Sequence, residues 1–182
     1  MKRAALYLAL LTPLLYLLYR LFLVGVEDPV KYIYTVTGFT ALTLLYIVTS
    51  FSLIRKKINL ARYRRAVGLF AFFYAFLHFL NFIILDMELD IALALNETLK
   101  KPFIYLGMGA FAILIFMAVT SFRTLFAKFY KYHQLIYVGL LLATVHFVMA
   151  QKALAYWQWE ILAAMAVIAV LKFLQKTKLV KF

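Results

Sequence analysis

Long apolar runs separated by short polar segments dominate the chain. Most of these runs last about 20 residues without the alternation of a half-buried strand, which is the length that an α-helix needs to cross a bilayer. Because the connecting segments are short, consecutive helices should be antiparallel neighbours. The pattern therefore predicts an all-α membrane protein, a six-transmembrane-helix bundle. The predicted spans are residues 4–24, 36–54, 66–85, 102–122, 133–150 and 156–174.

The composition agrees with this class and excludes several others. Hydrophobic types make up 67% of the 182 residues and charged types 15%, whereas a soluble domain is about half apolar and about a quarter charged. The net charge of +13 does not indicate a nucleic-acid partner, because most of the chain cannot face water. The absence of cysteine excludes disulfides, thiolate zinc sites, iron–sulfur clusters and covalently attached c-type haem.

Basic residues are distributed unequally between the two sets of connecting segments. Fifteen of the 20 lie in the N-terminus, the loops 55–65 and 123–131, and the C-terminal tail, which contain no acid. The other five share the opposite set with all seven acids. Since basic residues accumulate on the cytoplasmic side of membrane proteins, both termini are predicted to be cytoplasmic. Topology and attraction to anionic membrane lipid account for the positive charge.

Three histidines, His78, His133 and His146, are the ionisable candidates within the predicted spans that do not simply lie among the charges near a membrane surface, and two of them lie well inside. His78 and His146 each lie about 18–19 Å from the cytoplasmic end of their helices, at nearly equal depth, if a helix rises about 1.5 Å per residue. Two imidazoles at one depth suit the two axial positions of a haem iron. The alternatives are packing histidines that hydrogen-bond across the bundle, or a proton relay, although no acid lies in the middle of a span to complete one.

His133 has two interpretations. It stands at the predicted inner end of the fifth span, where it is either an ordinary interfacial residue or a ligand of a second, inner haem. On a straight helix, 13 residues at about 100° each place it off the face of His146. The third span carries Arg64, Arg65 and Gly68 at the matching level. The two arginines are either topology charges or partners of haem propionates or a flavin phosphate.

Short segments spread over most of the chain match a known family in order and spacing. These segments are Asp28-Pro29-Val30, Thr37-Gly38, Arg64-Arg65-Ala66-Val67-Gly68-Leu69, Leu77-His78-Phe79, Lys101-Pro102-Phe103-Ile104-Tyr105-Leu106-Gly107, Ala118-Val119-Thr120-Ser121, Tyr132-His133-Gln134-Leu135-Ile136-Tyr137 and His146-Phe147. On these residues the chain resembles the haem-binding membrane subunits of the bacterial protein-methionine-sulfoxide reductase system, within the ferric-reductase-like transmembrane superfamily. The resemblance implies one ferric-reductase-like transmembrane domain over residues 1–182.

The resemblance also implies a role in the bacterial inner membrane. A family member passes electrons from a cytoplasmic flavin reductase or quinone, through one or two b-type haems, to a periplasmic molybdopterin-containing methionine sulfoxide reductase. It is an electron-transfer subunit rather than the substrate-binding catalyst. His78, His133 and His146 match the family's haem-associated histidines, and some members also bind FMN. Two rivals are a stand-alone ferric or cupric reductase, and a non-redox membrane protein with packing histidines.

Overall fold

The computed structural model describes residues 2–51, 53, 60–151 and 156–176, and their regular structure is helical throughout. Two π-helical turns, Arg20–Val24 and Asn81–Asp86, extend α1 and α3, and the 3-10 turn Tyr130–Leu135 joins α6 to α7. The helices are α1 (Lys2–Tyr19), α2 (Pro29–Ser50), α3 (Ala61–Leu80), α4 (Ile91–Lys100), α5 (Pro102–Val119), α6 (Arg123–Phe129), α7 (Ile136–Ala150) and α8 (Tyr156–Lys176).

Within the described residues, five helical segments are long and apolar enough to cross a membrane: Ala4–Val24, Pro29–Ser50, Arg62–Asp86, Pro102–Val119 and Arg123–Ala150. The prediction of an all-helical membrane protein is confirmed. The predicted sixth span falls on α8, for which an apolar stretch is described from Leu162 to Leu171. The count of six spans and the cytoplasmic position of both termini stay predictions. Arg55, Lys56, Lys57, Lys152, Lys178 and Lys181, which enter the charge argument, lie outside the described residues.

Helix caps explain where the structure departs from the predicted boundaries. The carboxylate of Asp28 accepts a hydrogen bond from the Lys31 backbone N–H at 2.9 Å, with Pro29 as first helical residue, so α2 begins seven residues before the predicted start at 36. Asp90 caps α4 in the same way. This helix was not predicted, because the sequence argument counted apolar length and did not use capping side chains, which satisfy the free N–H groups of a first turn.

Four helices form the bundle that positions the candidate site. The α2 helix packs along α3, and α5 packs along α7. Contacts between α3 and α5, and between α2 and α7, join these two pairs. Consequently α3 and α7 lie diagonally opposite each other, and side chains from both project into the centre of the bundle. The α1 and α8 helices pack against α2 at the periphery.

Tyr74 ties α1 to the bundle through a bond with the α1 backbone. Its side chain is fully buried. The hydroxyl donates to the Leu10 carbonyl oxygen at 2.7 Å and accepts from the Leu14 backbone N–H at 3.2 Å. In a regular helix the Leu14 N–H and the Leu10 carbonyl would bond to each other, and here the Tyr74 hydroxyl lies between them. The neighbouring residue, Pro13, has no backbone N–H to donate within α1.

Candidate cofactor sites

The structure brings His78 on α3 and His146 on α7 together in the middle of the bundle. Their ring centres are 5.9 Å apart and the ring planes are nearly perpendicular, at 89°. Two imidazoles that bind one metal ion from opposite sides, with metal–nitrogen bonds of about 2 Å, have ring centres roughly 6 Å apart. The pair therefore has the spacing of two axial ligands of one iron.

The Nδ1 atom of His78 is held by groups from α2. It lies 3.2 Å from the carbonyl oxygen of Tyr34 and 3.4 Å from Oγ1 of Thr37. A carbonyl oxygen only accepts hydrogen bonds, so Nδ1 carries the ring proton and donates it. Thr37 is fully buried, and since its hydroxyl donates to the Ile33 carbonyl, it also meets His78 as an acceptor. The lone pair of His78 is thus on Nε2.

His146 is oriented in the same way from another helix. Its Nδ1 lies 2.6 Å from the carbonyl oxygen of Phe103 on α5, which again places the ring proton on Nδ1. No described residue hydrogen-bonds to Nε2 of His146 or of His78. Metal-binding histidines characteristically donate the second ring N–H to a carbonyl or carboxylate, which fixes the tautomer and the ring orientation. The two histidines share this arrangement.

A glycine lies directly against each of the two imidazoles. A Cβ atom added to Gly38 would stand 2.8 Å from Cε1 and Nδ1 of His78, and one added to Gly107 would stand 2.8 Å from Nδ1 of His146. Any other residue at these positions would displace the rings. Sequence reasoning did not assign these roles: a glycine in a membrane helix is usually read as a helix-packing position, and the partner ring comes from another helix.

Tyr34 links the His78 environment to the exposed end of α3, and it too was missed from the sequence. Its ring meets the His78 ring edge-on, with centres 5.0 Å apart. Its hydroxyl donates to the carboxylate of Asp86, which is exposed, at 2.8 Å. Tyrosine is abundant in this chain, with 13 residues, so type and position alone did not separate Tyr34 from the rest.

A second candidate site is an open cavity of about 510 Å³ between the ends of α2, α3, α5 and α7. Its lining includes His133, Arg64, Arg65 and Gly68, the residues that the sequence placed at one level. A third arginine, Arg123, also lines it and was not singled out from the sequence. Much of the remaining wall is apolar, and the polar side chains of Thr49, Ser121, Tyr130, Gln134 and Tyr137 also line it.

His133 does not begin a straight α-helix, as the sequence argument assumed. It lies in the 3-10 turn Tyr130–Leu135, and α7 begins only at Ile136. Because a 3-10 turn has about 3.0 residues per turn rather than 3.6, the angle expected between His133 and His146 on a straight helix does not apply. The His133 ring meets the Phe126 ring edge-on at 4.9 Å, and its Nε2 lies 3.0 Å from Oγ1 of Thr120.

Comparisons with known proteins identify the family of the chain. A family model described as the ferric reductase like transmembrane component matches residues 55–144. The protein-methionine-sulfoxide reductase heme-binding subunit MsrQ of Brucella ovis is 35% identical over 150 residues, which cover 79% of this chain and 67% of that protein. Proteins of the same name from Brucella canis and Brucella melitensis match with equal identity and coverage. No solved structure matches.

The fold and its central histidines thus define a multi-pass membrane protein of the ferric-reductase-like class. Within that class the similarity extends beyond the matched domain to most of the chain. The chain belongs to the MsrQ family.

Proposed function

We propose that this protein is a b-type haem subunit that carries electrons across the bacterial inner membrane to a methionine sulfoxide reductase. The observation that carries the proposal is the His78–His146 pair: two imidazoles 5.9 Å apart, with both Nδ1 atoms bonded to backbone carbonyls. The relatives named as heme-binding subunits of the reductase support the assignment.

His78 and His146 would hold the haem iron, each through Nε2. Held by two histidines, the haem would supply one-electron transfer. The surrounding residues of the chain orient the two imidazole rings. The Tyr34 and Phe103 carbonyls hold the two rings and increase the basicity of the ligating nitrogens, while Gly38 leaves room for His78.

The inner cavity is the proposed second cofactor site, for an inner haem or for FMN. His133 offers one imidazole, and Arg64, Arg65 and Arg123 bring three guanidinium groups to the same cavity. Guanidinium groups bind carboxylate and phosphate in a two-pronged geometry, which fits haem propionates as well as a flavin phosphate. The apolar part of the wall, which includes Leu69, Phe72 and Leu114, suits a flat ring system.

The proposed electron path runs from the cytoplasm outwards. The distribution of basic residues, fifteen against five, supports placing the His133 cavity on the cytoplasmic side, where a flavin reductase or quinone would donate electrons. The acceptor would be a periplasmic molybdopterin-containing methionine sulfoxide reductase. The protein would reduce that partner and would not bind the sulfoxide itself.

The test is a haem stoichiometry with a reduced-minus-oxidised spectrum on protein purified from haem-sufficient cells, for wild type, His78→Ala, His146→Ala and His133→Ala. Loss of either central ligand is expected to abolish the low-spin b-type spectrum of the shared haem. His133→Ala is expected to lose only the inner cofactor, or to slow reduction from the cytoplasmic side. A normal spectrum in either central variant would disprove the proposed pair of ligands.

The same preparation distinguishes the two rivals. Colourless wild-type protein would favour a non-redox membrane protein in which the histidines only pack. A red protein that reduces ferric or cupric ions without any partner, and does not transfer electrons to the reductase, would favour a stand-alone metal-ion reductase.

A further inference from the structure

The hydroxyl of Thr120 determines which nitrogen of His133 carries the proton. Oγ1 lies 2.7 Å from the Phe116 carbonyl oxygen and 3.0 Å from Nε2 of His133. A hydroxyl has one proton to donate. Two oxygens 2.7 Å apart repel each other unless that proton lies between them, so the hydroxyl donates to the Phe116 carbonyl, as threonines within helices commonly do.

The imidazole must therefore be the donor in the bond between His133 and Thr120. This places the proton on Nε2 and leaves the lone pair on Nδ1, to which no described residue hydrogen-bonds. The tautomer is the reverse of that of His78 and His146, in which backbone carbonyls hold Nδ1–H and Nε2 has the lone pair. The three histidines of the chain thus divide into two tautomers.

We propose that Nδ1 is the atom with which His133 meets the group bound in the inner cavity, and that Thr120 is the positioning residue that enforces this. The inference rests on the proposed function only in assuming that the cavity holds a cofactor. The bound group would be of a class that needs a neutral nitrogen lone pair, either a haem iron or an N–H or O–H donor.

Two further contacts oppose use of Nε2. Thr120 is buried, with 3% of its surface exposed, and lies at the end of α5, so its hydroxyl cannot easily move away from the ring. Phe126 packs edge-on against the same ring at 4.9 Å and opposes a ring flip. Binding through Nε2 would break the hydrogen bond of His133 with Thr120 and its ring contact with Phe126.

The test reads the tautomers directly. The chain has three histidines, so protein labelled with ¹⁵N-histidine gives three imidazole patterns. Carbon monoxide is added to the reduced holoprotein so that a ferrous haem with one imidazole ligand also becomes diamagnetic, and ¹⁵N–¹H correlation spectra then report which nitrogen is protonated. We expect Nε2–H for the signal that disappears in His133→Ala, and Nδ1–H for the other two. A proton on Nδ1 of His133, alone or together with one on Nε2, would overturn the proposal.

Variants of Thr120 then test the positioning role. Thr120→Val, which has the same shape without the hydroxyl, is expected to lose the single-tautomer pattern of His133 and to shift the midpoint potential or the occupancy of the inner group. Thr120→Ser should restore both. Thr98→Val is the matched control, because Thr98 makes the same bond to the carbonyl four residues earlier, with Ala94, and contacts no histidine. An unchanged pattern in Thr120→Val would contradict the role.

The outcomes separate this inference from the proposed function. Wild-type protein that contains haem but carries the His133 proton on Nδ1 retains the function and refutes the inference. Protein that binds neither haem nor flavin refutes the function, while its ¹⁵N pattern still shows which nitrogen Thr120 leaves free. If Thr120→Val does not fold, the wild-type and Thr120→Ser patterns decide.

Discussion

At the scale of single residues, small neighbours determine what the imidazoles can do. Gly38 and Gly107 leave the space in which His78 and His146 lie, and backbone carbonyls bind Nδ1 of both rings, so that Nε2 of each ring carries the lone pair. None of these neighbours would itself bind a metal ion. The ligand chemistry proposed for the pair therefore depends on residues whose types, taken singly, carry no functional signal.

Alanine at either glycine should disturb the central site without weakening the helices. In Gly38→Ala and Gly107→Ala the new Cβ would approach an imidazole atom to 2.8 Å, so the ring must move, and a metal–nitrogen bond of about 2 Å tolerates little movement. We expect reduced haem content or a broadened, shifted low-spin spectrum.

The helical content of the two glycine variants should stay intact, since alanine is favoured over glycine in a helix by about 1 kcal/mol. Gly109→Ala is the control, because its Cβ would make an ordinary contact of 3.5 Å with Leu142. Haem content and circular dichroism are the measurements. Wild-type spectra in both Gly38→Ala and Gly107→Ala would show that the close fit is not required.

At the scale of helices, one hydroxyl holds the peripheral α1 to the bundle. Most of α1 is exposed, as expected for a helix surrounded by lipid, and apolar burial contributes less to association where lipid tails are as apolar as the side chains. Hydrogen bonds between helices then matter more, and Tyr74 makes two of them with α1.

Removing that hydroxyl should loosen α1 by a modest amount. In Tyr74→Phe, Leu10 and Leu14 can restore their own helical hydrogen bond. The free energy of unfolding should therefore fall by about the net value of one hydrogen bond, about 1 kcal/mol. Thermal unfolding in detergent, followed by circular dichroism, should show a lower midpoint than in wild type. Tyr105→Phe is the control, since Tyr105 is exposed and should unfold like wild type; equal midpoints for both variants would contradict the role of Tyr74.

At the scale of the whole molecule, the charge distribution predicts an orientation across the membrane. The three arginines of the open cavity belong to the basic set of segments, whereas Asp86, which binds Tyr34 beside His78, belongs to the set that contains all acids. The cavity arginines and the acid next to the central site therefore belong to opposite sets of segments, which is consistent with the proposed electron transfer across the membrane.

The absence of cysteine makes this direction directly measurable. In single-cysteine variants, Asn96→Cys on α4 should react with a membrane-impermeant maleimide in intact spheroplasts, because positive-inside topology places α4 outside. Lys128→Cys on α6 should react only after lysis. Both positions are exposed, so burial does not bias the comparison. The reverse labelling pattern would contradict the proposed orientation.

The sequence by itself determined the membrane class, the long apolar helices and the three candidate histidines, because apolar run length and the rarity of ionisable groups in the middle of spans are local properties of the chain. It missed α4, whose cap Asp90 was not considered, and α6, which lies in the predicted loop 123–131. It also treated His133 as part of a straight helix. Only the tertiary structure paired His78 with Gly38 and His133 with Thr120. Such contacts join residues that are distant in the chain. The neighbour that accepts a hydrogen bond from one ring nitrogen determines that the other nitrogen has the lone pair, and only the tertiary structure shows which neighbour that is.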